Sequence, residues 1–502
     1  MAQARLMTVS PGIIPALDAI LKAHAVRSPN ATALTDPPDI ESVTGEVPRR
    51  FTYRQADRAV DAIAARLREI GLAPGTIVGV QMPNIAASIL TLLAIMRAGM
   101  IAAPLPLLWR RTDCVAALSE VGARAIVTCG RVADFNHAAL ALEVAAELFP
   151  IRAVCGFGCA ITDGIVPLDD LLVSTDEHPD TILFQGSACA SHALVTFDPT
   201  ENRIVPVARD AAQLLTAGRL IRQRAQIGPQ AIILSTLPPT SFAGVSAGLV
   251  PWLLSGGTLV LHHPFDPATL RQQIEQERCD ALVVPDAMLA GLCDWSLIAP
   301  ERVRSVIAVW RAPERLSGAA QWTNPDVTLV DVAAFGETAL LAARRCSSGR
   351  TLPWPKGALS IAPGGPDCAN VVLTPNGTVG IFGALAAPAF DPYGSEIVTA
   401  TSGNDGYVDT GYSSRMNPGE ESLIVTAPPA GLIAVGGYRF AIRDLQLKVR
   451  SIDSNSVLAA LPHALSGHRL AGHAADPAAT RDMLQTMGMN PLLPAAFRDR
   501  VA

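Results

Sequence analysis

Apolar residues recur at three- and four-residue spacing across 57–70, and Gly71 follows as a helix-ending residue. The pattern predicts an amphipathic helix. Pro74-Gly75 predicts a turn and Ile77-Val78-Gly79-Val80 a short strand. Residues 86–97 are apolar on almost every side and stop at Gly99, which predicts a helix buried between a sheet and another layer. Pro104-Leu105-Pro106 then breaks the chain, 113–121 reads as helix, and Ala125-Ile126-Val127 reads as strand. Short apolar strands alternating with helices predict a parallel sheet covered on both faces. From 352 to 425, proline, glycine and β-branched residues take over, which suits a small β-rich unit.

Composition narrows the picture. At 502 residues the chain is long enough for two to four domains. Charged residues make up 17% and the formal net charge is −6, so no basic nucleic-acid footprint is expected. A mean hydropathy of +0.31 raises the question of a membrane. The longest apolar run, 85–96, lies between Asn84 and Arg97 and falls short of the roughly 20 residues a span requires. Residues 1–18 lack a charged-then-apolar leader pattern, and the expectation is a soluble cytoplasmic protein. Nine cysteines are scattered, with only Cys155 and Cys159 close together and no metal spacing, so buried reduced thiols are expected. Lysine is confined to Lys22, Lys356 and Lys448 in a chain with 39 basic residues, a bias that points to a GC-rich bacterial genome.

Phe51-Thr52-Tyr53-Arg54-Gln55-Ala56, Gly79-Val80-Gln81-Met82-Pro83-Asn84, and Ala94-Ile95-Met96-Arg97-Ala98-Gly99 with Pro104-Leu105 occur in order. Leu237-Pro238-Pro239, Leu253-Leu254-Ser255-Gly256-Gly257-Thr258, Phe265-Asp266-Pro267 and Val284-Pro285 follow. These landmarks resemble the acyl-CoA synthetase / AMP-dependent synthetase and ligase (adenylate-forming) superfamily, along essentially the whole chain. The resemblance implies an α/β fold: two doubly wound α/β subdomains, a small β-barrel-like subdomain and a short carboxy-terminal α+β domain. The corresponding boundaries are 1–190, 191–351 and 352–425, a hinge-like linker at 426–431, and a shortened domain at 432–502. Such enzymes join a carboxylate to the ATP α-phosphate and then pass the acyl group to a thiol, chemistry that depends on positioning and charge neutralisation.

The motifs that should carry this chemistry are altered. In the family a Thr-Ser-Gly-Thr-Thr-Gly-x-Pro-Lys-Gly loop turns backbone amides toward phosphate. Here Thr196 is kept, but both glycine positions are acidic, Asp198 and Glu201, Pro199 removes an amide, and the lysine position falls on Ile204. Each carboxylate would repel a phosphate by about 4 kcal/mol at contact in a surface-like dielectric. A one-residue shift would bring Arg203 to the lysine position. Phe335-Gly336-Glu337-Thr338-Ala339 aligns with a Tyr-Gly-x-Thr-Glu box. Phe335 keeps a ring that could stack on adenine and Thr338 keeps the hydroxyl, while Ala339 replaces the magnesium-binding glutamate; Glu337 is the one candidate substitute for a metal ligand. In Asp405-Gly406-Tyr407-Val408-Asp409-Thr410-Gly411-Tyr412, Tyr412 stands where an aspartate should clamp ribose, and Asp409 is the nearby stand-in. The linker 426–431 carries Pro428 and Pro429 in place of a swivelling Gly-Arg-x-x-Asp element. No lysine follows Lys448, so the adenylating lysine is missing, and Arg498 and Arg500 are poor replacements.

Other positions suggest a retained pocket. Ser241 heads the segment that lines the acid pocket in relatives, Trp310 and Arg311 replace two glycines of the adenine turn, and Gly436 belongs to the Gly-Gly turn that contacts the acceptor tunnel. Arg311 could instead read a carboxylate or phosphate. The leading expectation is an acyl- or aryl-CoA-ligase-like pseudoenzyme with no catalytic residue or cofactor assigned. It would bind an acyl or aryl acid-derived small molecule, an acyl carrier or a partner enzyme, with a homodimer as an option. The alternative is an active acid–CoA or acid–carrier ligase that uses ATP, magnesium and CoA through unconventional contacts, and a third option keeps only a thioester half-reaction.

Overall fold

The computed structural model describes residues 15–158, 162–173, 192–201, 203–293, 298–390, 406–463 and 467–498. Cys159, Cys189, Asp405 and Arg500 fall outside them. Thr52 starts the first long helix, Tyr53–Glu69, through a reciprocal capping box with Gln55. Such a cap is worth about 1 kcal/mol. The strand Ile77–Gln81, the helices Ala86–Arg97 and Arg111–Glu120, and the strand Ala125–Cys129 follow, close to the periodicity's prediction. Residues 86–95 are all buried, as an all-apolar helix requires. Arg97, at the end of that helix, pairs with Asp57 at 2.7 Å, Asp61 at 2.9 Å and Asp18 at 3.3 Å, tying three helices at their polar edge.

Two mostly parallel sheets share the core. The seven-stranded sheet runs Ile204–Arg209, Leu194–Pro199, Ile101–Pro104, Ile77–Gln81, Ala125–Cys129, Ala153–Phe157 and Val166–Pro167. The eight-stranded sheet runs Ala339–Arg344, Thr328–Phe335, Ser305–Trp310, Ala281–Pro285, Ile232–Ser235, Thr258–Leu261, Thr32–Thr35 and Arg50–Thr52, antiparallel only at its two edges. The amino-terminal strands at 32–52 thus complete the second sheet, while the hairpin at 194–209 completes the first. A division of the chain at residue 190 cuts across both sheets. Periodicity reports which residues are strand, but not which sheet a strand joins.

The helices Leu17–Arg27, Tyr53–Glu69, Ala86–Arg97, Ala211–Arg224 and Val250–Ser255 contribute to a single large cluster with both sheets. Tyr53 and Trp252 both donate to the Gly257 carbonyl, at 2.8 and 3.1 Å, and the Asn84 amide reaches the Ser235 carbonyl at 3.0 Å. An antiparallel six-stranded sheet occupies 354–427.

The carboxy-terminal unit is a four-stranded sheet, Tyr438–Ala441, Leu432–Val435, Gly467–His473 and Val457–His463, backed by the helices Ile442–Ile452 and Pro477–Thr486. It has its own apolar cluster, centred on Val449, Leu484, Leu493 and Phe497. It docks on the loop and helix start around residue 110: the Thr112 hydroxyl donates to the Met487 carbonyl at 2.8 Å, and the Leu108 amide donates to the Tyr438 hydroxyl at 3.3 Å. Among the described residues no helix is long and apolar enough to cross a membrane.

Candidate functional site

A cavity of about 350 Å³ lies in the seam between the large core and the carboxy-terminal unit. Trp109, Phe197, Leu237 and Pro238 supply its apolar wall, and Gly436 and Gly437 border it from the small unit. That border is a two-residue hairpin turn joining the paired residues Val435 and Tyr438. Both turn residues have positive φ, 56° and 84°, which glycine adopts without steric cost and which matches the twist of the flanking strands.

Three elements converge at one end of the cavity. The first is the hairpin of Leu194–Pro199 and Ile204–Arg209, paired in uninterrupted antiparallel register from Leu194↔Arg209 to Pro199↔Ile204. Its turn closes with the Thr200 amide donating to the Arg203 carbonyl at 2.9 Å. The backbone of this stretch therefore runs as extended hairpin strands rather than as a loop wrapped round an anion. Ile204, at the lysine position, pairs with Pro199 and packs on the apolar cluster around Trp109 and Phe197. Thr196 is fully buried, and its hydroxyl has no partner among the described residues. Arg203 reaches Glu120 at 3.7 Å on the surface, away from the cavity.

The second element is the turn Gly336-Glu337-Thr338 between the strands Thr328–Phe335 and Ala339–Arg344. Phe335 is 1% exposed and packs edge-on against Tyr412, with ring centroids 5.3 Å apart, so it presents no face to a base. The Thr338 hydroxyl donates to the Phe335 carbonyl at 2.8 Å, which closes the turn on itself. Ala339 is buried in the strand opposite Phe335. Glu337 points inward: Oε2 accepts from the Phe242 amide at 2.7 Å and Oε1 faces Arg311 Nη1 at 3.1 Å. Both oxygens are thus engaged, one by a backbone amide and one by a guanidinium.

The third element is Arg439, on the first strand residue after Tyr438. Its guanidinium bonds Asp198 Oδ1, while Asp198 Oδ2 accepts from the Glu337 amide at 3.0 Å. The pair is 8% and 9% exposed. It lies directly on Gly336, whose φ is +61°; a Cβ there would collide with both Arg439 Nη1 and the Asp198 carboxylate. Arg209, wholly buried, stacks 3.6 Å from the Phe242 ring centroid and donates to the Glu337 and Thr338 carbonyls. Its Nε and Nη1 have no partner among the described residues.

Burial and mutual attraction compete in this cluster. Burial is the dominant influence on Arg209 and lowers its pKa to about 10, against the attraction of Glu337 and Asp198. Burial likewise raises the Glu337 carboxyl, opposed by Arg311 and the Phe242 amide. Burial also works against charge on Arg439, but Asp198 and Tyr412 more than offset it, and its pKa is raised. Across the cavity, burial lifts Asp286 to about 6 despite Arg315 at 3.8 Å. Tyr412 is pushed up to about 12, chiefly by burial.

Several sequence candidates land elsewhere. The Trp310 indole does not fill an adenine slot; it donates to Asp331 at 2.8 Å inside the sheet. Arg311 does line the cavity. Asp409 is held by the Thr378 hydroxyl at 2.7 Å and by the Gly411 amide at 2.9 Å, within the antiparallel sheet. Ser241 borders the cavity while capping the short helix at 242–244 through the Gly244 amide at 3.0 Å. Sequence reasoning missed Arg439, Arg209, Trp109, Tyr438, Asp286 and Arg315. One signal was available for Arg439: an acid at 198 either faces solvent or pairs with an arginine, and Arg439 follows the retained Gly-Gly turn.

A family described as "AMP-binding enzyme" matches residues 21–163. The chain is 27% identical over 234 residues to a feruloyl-CoA synthase of Amycolatopsis sp, covering 45% of this chain and 42% of the relative, so it spans under half of that protein. It is 25% identical over 464 residues to the 2-hydroxy-7-methoxy-5-methyl-1-naphthoate–CoA ligase of Streptomyces carzinostaticus, covering 84% and 79%. The amide bond synthetase McbA of Marinactinospora thermotolerans superposes with a TM-score of 0.71 over 96% of this chain and 94% of its own. At 16% identity that likeness concerns fold alone.

Proposed function

Starting from a chain that belongs to the adenylate-forming superfamily, we propose that it is an acyl- or aryl-CoA-ligase-like pseudoenzyme. On this reading it receives an acid-derived ligand without activating it through ATP. The observation that carries the reading is the Asp198–Arg439 pair seated on Gly336, between the two elements that would have to hold the nucleotide's phosphates. A triphosphate brought there would meet a carboxylate, a regular β-ladder in place of a glycine loop, and no lysine in that stretch. The residues do not fit ATP with magnesium.

The ligand side is better furnished. The cavity pairs an apolar wall of Trp109, Phe197, Leu237 and Pro238 with Arg311 and Arg315, whose side chains are 28% and 34% exposed. A flat apolar body with one carboxylate or thioester carbonyl suits that arrangement, since guanidinium groups bind carboxylates with directional hydrogen bonds. An acyl carrier or a partner enzyme would present such a group at the seam, where the Gly436-Gly437 turn borders the cavity.

The test is ATP–pyrophosphate exchange with a panel of aryl and acyl acids. The expected result is no exchange above background, because triphosphate, metal and adenylating contacts act as a unit and each commonly contributes about 10²–10³ in rate. Ile204→Lys alone is expected to restore nothing. Exchange in the wild type that Thr338→Ala abolishes would favour the alternative, an active acid–thiol ligase using ATP, magnesium and CoA.

A further inference from the structure

Around the Asp198 carboxylate, three positive groups and a backbone amide face one small volume. Arg439 donates to Oδ1, the Glu337 amide donates to Oδ2 at 3.0 Å, and Arg209 stands wholly buried beside them with two guanidinium nitrogens unpartnered among the described residues. Arg311 is bound to the other side of Glu337 at 3.1 Å. Glu314 also acts on Arg439, so the local tally is three arginines against three carboxylates, and subtracting Asp198 leaves one cationic charge in excess. Asp198, Glu337, Arg311 and Arg439 all border the cavity, so a group larger than a carboxylate would have room on that side.

We propose that this is an anion site whose resident ligand is Asp198 itself. The internal carboxylate occupies a cradle of donors suited to a phosphate group, and by doing so it latches the carboxy-terminal unit to the core. Phosphate offers the same two acceptor oxygens, carries a larger charge and projects its remaining oxygens into the cavity. Charge-assisted bonds to arginine and to a backbone amide are the strong class of hydrogen bond, which makes the cradle selective for oxyanions once Asp198 is gone. The anion site rests on the proposed function for its position in the seam, but not for the loss of ATP activation. The difference in phosphate binding between Asp198→Ala and the wild type tests the anion site alone, whereas acid-dependent ATP–pyrophosphate exchange tests the pseudoenzyme reading alone.

The experiment titrates inorganic phosphate, at matched ionic strength in sodium chloride, into the wild type, Asp198→Ala and the double variant Asp198→Ala/Arg439→Ala. Calorimetry and melting temperature are both read. The expected result is a phosphate Kd at least ~10-fold lower in Asp198→Ala than in the wild type, with a matching phosphate-dependent rise in melting temperature. Both gains should vanish in the double variant. Acetate, which replaces only the lost carboxylate, should act in the same direction more weakly. Should Asp198→Ala fail to fold, Asp198→Ser carries the measurement, since its hydroxyl still serves the Glu337 amide. Folding of either variant only in phosphate would support the proposal. Phosphate binding equal to wild type, binding that survives loss of Arg439, or failure of both variants to fold even in phosphate would overturn it.

Discussion

Two buried arginine–aspartate pairs sit within this protein and do different things. Asp331 and Arg345 are 14 residues apart, 4% and 3% exposed, and meet side-on through two bonds of 2.8 and 3.0 Å. The Trp310 indole fills a further acceptor site on Asp331, and Arg345 also donates to the Ala320 carbonyl at 2.7 Å. Asp198 and Arg439 are 241 residues apart and join two units across a seam. Here a single bond links the two side chains, and the second carboxylate oxygen turns to a backbone amide. The first pair is sealed inside one sheet, so its energy belongs to folding. The second faces a cavity, so its energy belongs to docking and is open to competition from a ligand.

Breaking the sealed pair should have the largest effect. Asp331→Ala leaves Arg345 charged and buried and leaves the Trp310 N–H without its partner, and is expected to lower stability by about 3–5 kcal/mol. Denaturant unfolding should show one cooperative shift, with the carboxy-terminal unit no more exposed to protease than before. Selective release of that unit would erase the contrast between the two pairs.

Arg439→Ala should act on the seam. Asp198 keeps the Glu337 amide, so the core is expected to hold, while cleavage in 426–431 accelerates by about 10- to 100-fold in limited proteolysis, which tracks the population of the open form. Gly336→Ala should give the same local signature, because its Cβ would push on both partners and a left-handed φ adds about 1–2 kcal/mol of strain. A shift in core unfolding with no gain in cleavage would mean that the pair is structural like the first.

The amino-terminal half was legible in sequence because its signals are local. The helix at 86–97 and the strand at 77–81 follow directly from burial on all sides and from a short apolar run. The helix expected at 57–70 begins earlier, at Tyr53, because Thr52 and Gln55 form a capping box that outweighs the weak apolar pattern before residue 57. Trp310 was misplaced by likeness to an adenine turn, although it closes a strand whose residues are all buried. The loop's lost glycines were visible as composition, but not what replaced them, since Asp198 finds its partner 241 residues away. Hydrophobic period carries no information at that separation. The sheet exchange between 32–52 and 194–209 was hidden for the same reason.

A weaker pair sharpens the comparison through pH. Asp286 and Arg315 are 3.8 Å apart at the cavity, and burial holds the Asp286 carboxyl at about 6, above its ordinary 3.8. The folded state therefore binds this proton more tightly than the unfolded state. Its contribution to stability is fully present below about pH 4 and is lost as pH rises toward about 6. Melting temperature should carry a falling component across that window, which Asp286→Asn removes. An unchanged slope in the variant would show that Asp286 titrates normally and that the seam is wetter than its geometry indicates.

The central claim is that the phosphate-binding end of the fold is filled by the protein's own ion pair. Isothermal calorimetry of the wild-type protein with ATP and magnesium tests it without knowledge of the acid substrate. The expected result is no saturable heat up to millimolar nucleotide, because a phosphate would have to displace a buried carboxylate from Arg439 and the Glu337 amide. Stoichiometric binding with a micromolar Kd, weakened by magnesium removal, would contradict it.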